Sequence, residues 1–304
     1  IVPFEQVVPA LYNAVWTFTQ PGDGILIQTP DYHHFTGATV NTGRKVLENR
    51  LVADEKGHYT VDFDDFREKA KQAKLFFLCS PQNPTGRVWT EEELRRMGEI
   101  CNEYGVMVVA DEIHHDLIQP GYKHIVYASL GKEFADNCVI CTSLSKTFNL
   151  AGLQTSNIFV PNEALRRKLE EFLKRGSANP KCNILGYKAC EIAYSSCGEW
   201  LDECIQVIDE NRRVITEFMA ENFPQIRVCE LQATYLPWMD WNGLGLDYKE
   251  LERINRQEAG LFFDEGYIFG TQGEGFERWN LACPTSYVVA ALKRMKEAYG
   301  KYVK

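Results

Sequence analysis

The chain has 304 residues, of which 45% are hydrophobic and 25% charged, and a formal net charge of −9; that length suits two domains of about 150 residues each. The acidic balance argues against a nucleic-acid or anionic-membrane partner, which would ask for a basic face. No run of about 18 apolar residues offers a membrane span, the first residues show no basic-then-apolar export signal, and the ten cysteines lack the close, even spacing of a disulfide scaffold, so they read as reduced thiols of a cytoplasmic protein.

In chain order, "VVPALYNAVWTF" (7–18) repeats its apolar residues at helical spacing, with Pro9 tolerable in a first turn. "PGDG" then turns the chain, and "ILIQTP" (25–30) reads as a short strand. "DFDDFREKAKQA" (62–73) is an amphipathic helix and "KLFFLCS" (74–80) the strand after it. "TEEELRRMGEICNEYG" (90–105) opens on a threonine cap with an acidic first turn and stops at a glycine. "VMVVADEI" (106–113) has the continuous apolar run of a buried strand, and "NCVICTS" and "TSNIFV" (155–160) follow. Within "NCVICTS", Cys138 and Cys141 form a C-x-x-C; on a strand this spacing sends the two side chains to opposite faces, and no second pair completes a zinc site, so both read as core residues. Helices alternating with near-continuous apolar strands predict an α/β domain around a mostly parallel, buried sheet.

The character changes after about residue 180. A long amphipathic helix over 199–223 gives way to shorter strand-like pieces, "IRVCE", "TYLPWMDW" and "FERWNLACP", which predict a second, smaller α+β domain. The expected division is 1–195 and 196–304. The mixed charges of "ALRRKLEEFLKR" read as a solvated helix face.

Four stretches carry candidate chemistry. In "CTSLSKTFNLAG", Lys146 follows a core strand, the position where open α/β sheets bind ligands. Lysine there serves phosphate contact or Schiff-base formation, and Ser143 and Ser145 offer hydroxyls beside it; an isolated lysine of this kind is more often a surface residue. In "VVADEIHHD", Asp111 ends a buried apolar run and must be paired or hydrogen-bonded to stay charged. A protonated ring nitrogen at ~4 Å gives about 4 kcal/mol at an effective dielectric near 20. His114 and His115 add possible metal ligands, but the sequence shows no third or fourth. "SPQNPTGRVWT" (80–90) presents Asn83 on a Pro- and Gly-fixed loop, which by itself is only a turn signal. In "GFERWNLACP", Arg278 offers a planar guanidinium for a substrate carboxylate, although for a lone arginine a surface ion pair is the favoured reading.

Together these stretches resemble the fold type I pyridoxal-phosphate enzymes of the aminotransferase class I/II superfamily. "NPTGRVWTEEEL", "ADEIHHDL" and "SLSKTFNLAGLQTSNIFVPN" lean toward the PatB/MalY-like cystathionine β-lyases, or C–S lyases. The similarity runs from about residue 7 to the end, with motifs in family order. It implies a large domain with a mostly parallel seven-stranded sheet and helices on both faces, a smaller C-terminal domain, a homodimer, and pyridoxal 5′-phosphate (PLP) as cofactor.

The resemblance also implies roles. Lys146 would bind PLP as a Schiff base and act as catalytic base, with Asp111 on the pyridine nitrogen. Asn83 would contact the phenolic oxygen, and His114 stands where many relatives place a tyrosine for that oxygen. Tyr32 would stack on the ring, Ser143 and the helix start at Val7 would hold the phosphate, and Arg278 would take the α-carboxylate. The Asn83–Pro84 bond is often cis in relatives. Gln154 replaces an arginine common in aminotransferases, which fits the lyases better, and Gln6 replaces a glycine that commonly precedes the first helix. The chain opens on Ile1, and the resemblance implies a preceding segment that shapes the substrate entrance and reaches the neighbouring subunit. The expected activity is β-elimination on a sulfur amino acid; the alternatives are an aminotransferase or a non-catalytic, PLP-binding regulatory protein.

Overall fold

The computed structural model describes residues 1–176 and 182–302. Its strands begin with β1 (Val2–Phe4), β2 (Gly24–Thr29) and β3 (Lys45–Arg50), then a small hairpin of β4 (Val52–Ala53) and β5 (Tyr59–Thr60). β6 (Ala73–Cys79), β7 (Met107–Asp111), β8 (Cys138–Thr142) and β9 (Ser156–Phe159) follow. All but the hairpin join one seven-stranded sheet in the order β1-β9-β8-β7-β6-β2-β3. β3, β2, β6, β7 and β8 are mutually parallel, while β9 runs antiparallel to both of its neighbours. The expected mostly parallel α/β architecture is therefore present.

Helices cover both faces: α1 (Val7–Phe18), α2 (His34–Val40), α3 (Phe63–Ala70), α4 (Glu91–Tyr104), the short α5 (Lys132–Ala135) and α6 (Leu144–Thr147), and α7 (Glu163–Arg175). Because side chains alternate along a strand, one sequence supplies two cores. Leu26, Phe76, Leu78, Val108 and Ile140 pack against Phe66 of α3 and Leu94, Met97 and Ile100 of α4. Ile25, Ile27, Phe77, Val109 and Val139 pack against Leu11 and Val15 of α1, Phe35 of α2 and Leu169 of α7. Cys138 lies in the first core and Cys141 in the second, on opposite faces of the sheet.

Local signals set the boundaries. A reciprocal box opens α4: the Glu93 amide donates to Thr90 Oγ1 (3.2 Å) and the Thr90 amide to Glu93 Oε2 (2.8 Å), and Gly105 closes it at φ 66°. α3 stops at Ala70, short of the predicted 73, because Ala73 already pairs in β6. β7 stops at Asp111 rather than 113, because the Ile113 amide turns back to Asp111 Oδ1 (3.1 Å).

The rest of the chain holds α8 (Ile184–Ser196), α9 (Gly198–Asn222), β10 (Arg227–Val228), β11 (Trp238–Asp240), α10 (Tyr248–Arg253), β12 (Asp264–Glu265), β13 (Phe276–Arg278) and α11 (Thr285–Tyr299). β10-β11-β13-β12 form a four-stranded antiparallel sheet. Its core joins Ile215 and Met219 of α9, Met239 of β11, Trp241, and Val288, Leu292 and Met295 of α11. No helix among the described residues is long and apolar enough to cross a membrane.

Candidate active site

The C-terminal ends of β2, β6, β7 and β8 stand close together across the parallel sheet, and each delivers a residue to one cavity of about 250 Å³. Tyr32 follows β2, Asn83 follows β6, Asp111 ends β7, and Lys146 lies on α6 directly after β8. Parallel strands place all their C-terminal ends on one edge, so residues far apart in sequence converge there. His114, Val7 at the start of α1, and Arg278 from β13 complete the wall. Ser143 does not line the cavity: its buried hydroxyl donates to the Thr155 carbonyl (2.7 Å) and accepts from the Ser145 amide (3.1 Å), capping α6. Gln6 has φ −155°, extended backbone that any residue adopts, so the helix entrance needs no glycine. Gln154 is exposed and outside the cavity.

The Asp111 carboxyl is buried, with the Ile113 amide as one donor, and burial raises its pKa to about 7; Lys146 nearby opposes that rise. Burial and the positive charge of Arg278 lower the Lys146 amine below its usual range. Burial, then Lys146 and Arg278, push His114 down to about 3, so its imidazole is neutral. Its Nδ1 is buried without a hydrogen-bond partner among the described residues, and its ring meets the edge of Tyr235 at 5.9 Å. Tyr32 is raised to about 12, first by burial and then by Asp111, and stays protonated.

A charged chain links the two sheets. Arg278 Nη1 donates to Asn83 Oδ1 (2.7 Å), while Nε and Nη2 donate to Asp264 Oδ2 (3.1 and 2.6 Å). The guanidinium lies over the ring of Phe269, 4.5 Å from its centroid. The Asp31 amide donates to the Phe269 carbonyl (3.0 Å), tying the Tyr32 loop to this ring. Asn83 Nδ2 has no partner among the described residues. The loop that carries Asn83 is held by Gln82, whose Nε2 donates to the Pro30 carbonyl (2.8 Å) and whose Oε1 accepts from Thr85. The Asn83–Pro84 bond is cis.

The sequence reading did not single out His33, Tyr235, Asp264 or Asn280, which also line the cavity. His33 adjoins Tyr32 and was within reach of a motif search; the other three arrive from the second sheet and its loops. Tyr235 follows Thr234, a buried β-branched residue at φ 70°, a strained conformation. Hydrogen bonds hold it: the Thr234 amide donates to the Leu117 carbonyl (2.7 Å) and Gln119 Nε2 to the Thr234 carbonyl (2.9 Å). Lys146, Tyr235 and Asn280 also border a second cavity of about 400 Å³.

A profile of the family "Aminotransferase class I and II" matches residues 8–295. The chain belongs to the aminotransferase class I and II family. Within it, the chain is 40% identical over 294 residues to cystathionine beta-lyase PatB of Bacillus subtilis, covering 96% of this chain and 76% of that protein. Cystalysin from Treponema denticola, whose crystal structure contains a pyridoxal 5′-phosphate cofactor, superposes with a TM-score of 0.96 at 42% identity, covering 99% of this chain and 76% of that one. A PLP-bound C–S lyase from Staphylococcus hominis gives 0.90 at 31% identity, with 98% and 75% covered.

Proposed function

We propose that this protein is a PLP-dependent carbon–sulfur lyase that cleaves amino acids bearing a sulfur leaving group on Cβ, such as cystathionine, to pyruvate, ammonia and a thiol. One observation carries the reading: Lys146 and Asp111, from the ends of neighbouring strands, line one cavity together with Arg278. The likeness to PatB, cystalysin and the Staphylococcus lyase supports the choice of chemistry.

The unfilled valences fit PLP. Asp111 has a buried oxygen pair with one backbone donor to it, and a protonated pyridine nitrogen supplies the missing cation. The buried His114 Nδ1, unpartnered among the described residues, and the side chain of Asn83 on the cavity wall suit an oxygen of the ring. Tyr32 offers an aromatic face, the amides at the start of α1 suit a phosphate, and Lys146 supplies the amine that holds the aldehyde. When bound, PLP provides the carbonyl that captures the substrate amine and the electron-poor ring that takes up charge from Cα.

The chain's own groups do the rest. Arg278 holds the α-carboxylate, which fixes the Cα–H bond relative to Lys146. Lys146, whose basicity burial and the Arg278 charge lower, takes the Cα proton as general base. The C–S electron pair leaves with the thiolate, which then gains a proton, and water converts the remaining unsaturated amino acid to pyruvate and ammonia. Purified protein with PLP should release pyruvate from cystathionine without added keto acid. Borohydride should trap the cofactor on native protein but not on Lys146→Ala. A strict keto-acid requirement would assign the protein to the aminotransferases, and cofactor loading without turnover of any amino acid to a binding role.

We also propose a division at 1–195 and 196–304, supported by the separate sheets and by the third core, which draws on residues 215–299. A homodimer is supported by α8, which exposes Ile184, Leu185, Tyr187, Ile192 and Tyr194. A cytoplasmic setting is supported by ten cysteines that are all free.

A further inference from the structure

We propose that Asp264 is a positioning residue for substrate: it presets Arg278 for the α-carboxylate, an inference that rests on the reading of Arg278 given above. Asp264 and Arg278 are directly opposite in the antiparallel β12–β13 pair, so their side chains share one face. A single oxygen, Asp264 Oδ2, takes both Nε–H and an Nη2–H from the side of the guanidinium, and Asn83 Oδ1 takes one from Nη1. A guanidinium has five N–H bonds. Three are thus committed, and the two that remain, one on Nη1 and one on Nη2, match the two oxygens of an incoming carboxylate.

Asp264, Asn83 and the ring of Phe269 hold the guanidinium on three sides. Asn83 and Phe269 contribute no charge. Among the described residues Asp264 is the one anion bonded to Arg278, and the pair is set into the wall, with the arginine side chain 12% exposed and the aspartate 48%. Without Asp264 the long arginine side chain gains rotamers that the substrate must then freeze out on binding, and that cost falls on affinity. The same contact is made before and after the chemical step, so it acts on KM rather than kcat.

The test compares holoenzyme carrying Asp264→Ala or Asp264→Asn with native holoenzyme, on S-methyl-L-cysteine and on its carboxamide, which lacks the carboxylate. Asp264→Ala should raise KM for the acid about tenfold with kcat within about twofold, and leave KM for the carboxamide unchanged. Asp264→Asn keeps an acceptor without the charge and should fall between. Titration calorimetry with 3-(methylthio)propanoate, which has the carboxylate and no amine to react, should show the same loss of affinity. An unchanged or lowered KM for the acid overturns the proposal, the lowered value meaning that Asp264 competes with substrate for the arginine. Equal losses on acid and carboxamide also overturn it, by showing a general structural defect. If native protein releases no pyruvate, the lyase reading fails, and the calorimetric comparison still decides the role of Asp264.

Discussion

Glu277 precedes Arg278 on β13, and strand alternation turns it away from the cavity into the core of the smaller sheet. It lies opposite Met239 on one side and Glu265 on the other. Asn255 Nδ2 donates to its Oε1 (3.1 Å), and its Oε2 is buried without a partner among the described residues. Burial first, then the negative charges of Glu265 and Glu252, lift its pKa from an ordinary 4.5 to about 9, against the weaker pull of Asn255 and Arg256. Glu277 is therefore protonated when folded at pH 7 and ionised when unfolded. An acid raised on folding contributes its full stability below pH 4.5, and that contribution drains away as pH rises toward 9. Each pH unit in this window is worth about 1.4 kcal/mol, so by pH 7 the loss is about 3 kcal/mol. Glu277→Gln keeps the shape and the bond from Asn255 and does not titrate. Urea denaturation of both proteins at pH 5, 6, 7 and 8 should show the variant gaining on native protein by about 1.4 kcal/mol per unit. Parallel stability profiles across that range would refute the argument, because they would mean that Glu277 is ionised in the folded state or has solvent access.

A Cβ on Gly98 of α4 would stand 2.5 Å from Phe134 Cδ1 and 2.6 Å from the Tyr127 hydroxyl, both on buried rings. Gly98→Ala should cost about 1–3 kcal/mol in thermal denaturation while leaving KM unchanged, and an unaltered Tm would show that the rings yield freely. Asp111→Asn removes a charge worth about 4 kcal/mol against a ring nitrogen at ~4 Å, so kcat should fall by about 10²–10³. Borohydride should still trap cofactor on that variant through Lys146, and near-native turnover would exclude an Asp111–pyridinium pair. Arg278→Lys keeps one charge but loses the planar fork and the bonds to Asn83 and Asp264. It should lower kcat/KM about 10²-fold with an unchanged cofactor spectrum, and a loss confined to kcat would place Arg278 away from the carboxylate.

Much of the large sheet, and the long helix α9 outside it, was legible because their signals are local. The 3.6-residue spacing in 7–18 and 199–223, the Thr90–Glu93 box and the apolar runs of β6, β7 and β8 depend only on neighbours in sequence. β1 has three residues, too few for a period to register, and β3 is an edge strand with one buried residue, so its apolar pattern is weak. α2 is seven residues long and opens without a side-chain cap.

The candidate site divides along the same line. Sequence alone specified which residues could act: an aspartate ending an apolar run is costly and needs a partner, which marks Asp111, while Lys146 and Asn83 stood out only as members of motifs that resemble a family together. It also set the alternation that parts Glu277 from Arg278 and Cys138 from Cys141. The fold decided convergence. Parallel pairing brought the ends of four strands to one edge, the second sheet brought Arg278 to the same cavity as Lys146, and antiparallel register put Asp264 opposite that arginine. It also set the Ser143 hydroxyl between the Thr155 carbonyl and the Ser145 amide. Such pairings join residues up to 195 positions apart, as between Asn83 and Arg278. Nothing in a local pattern encodes them, because they follow from burying both faces of a sheet at once.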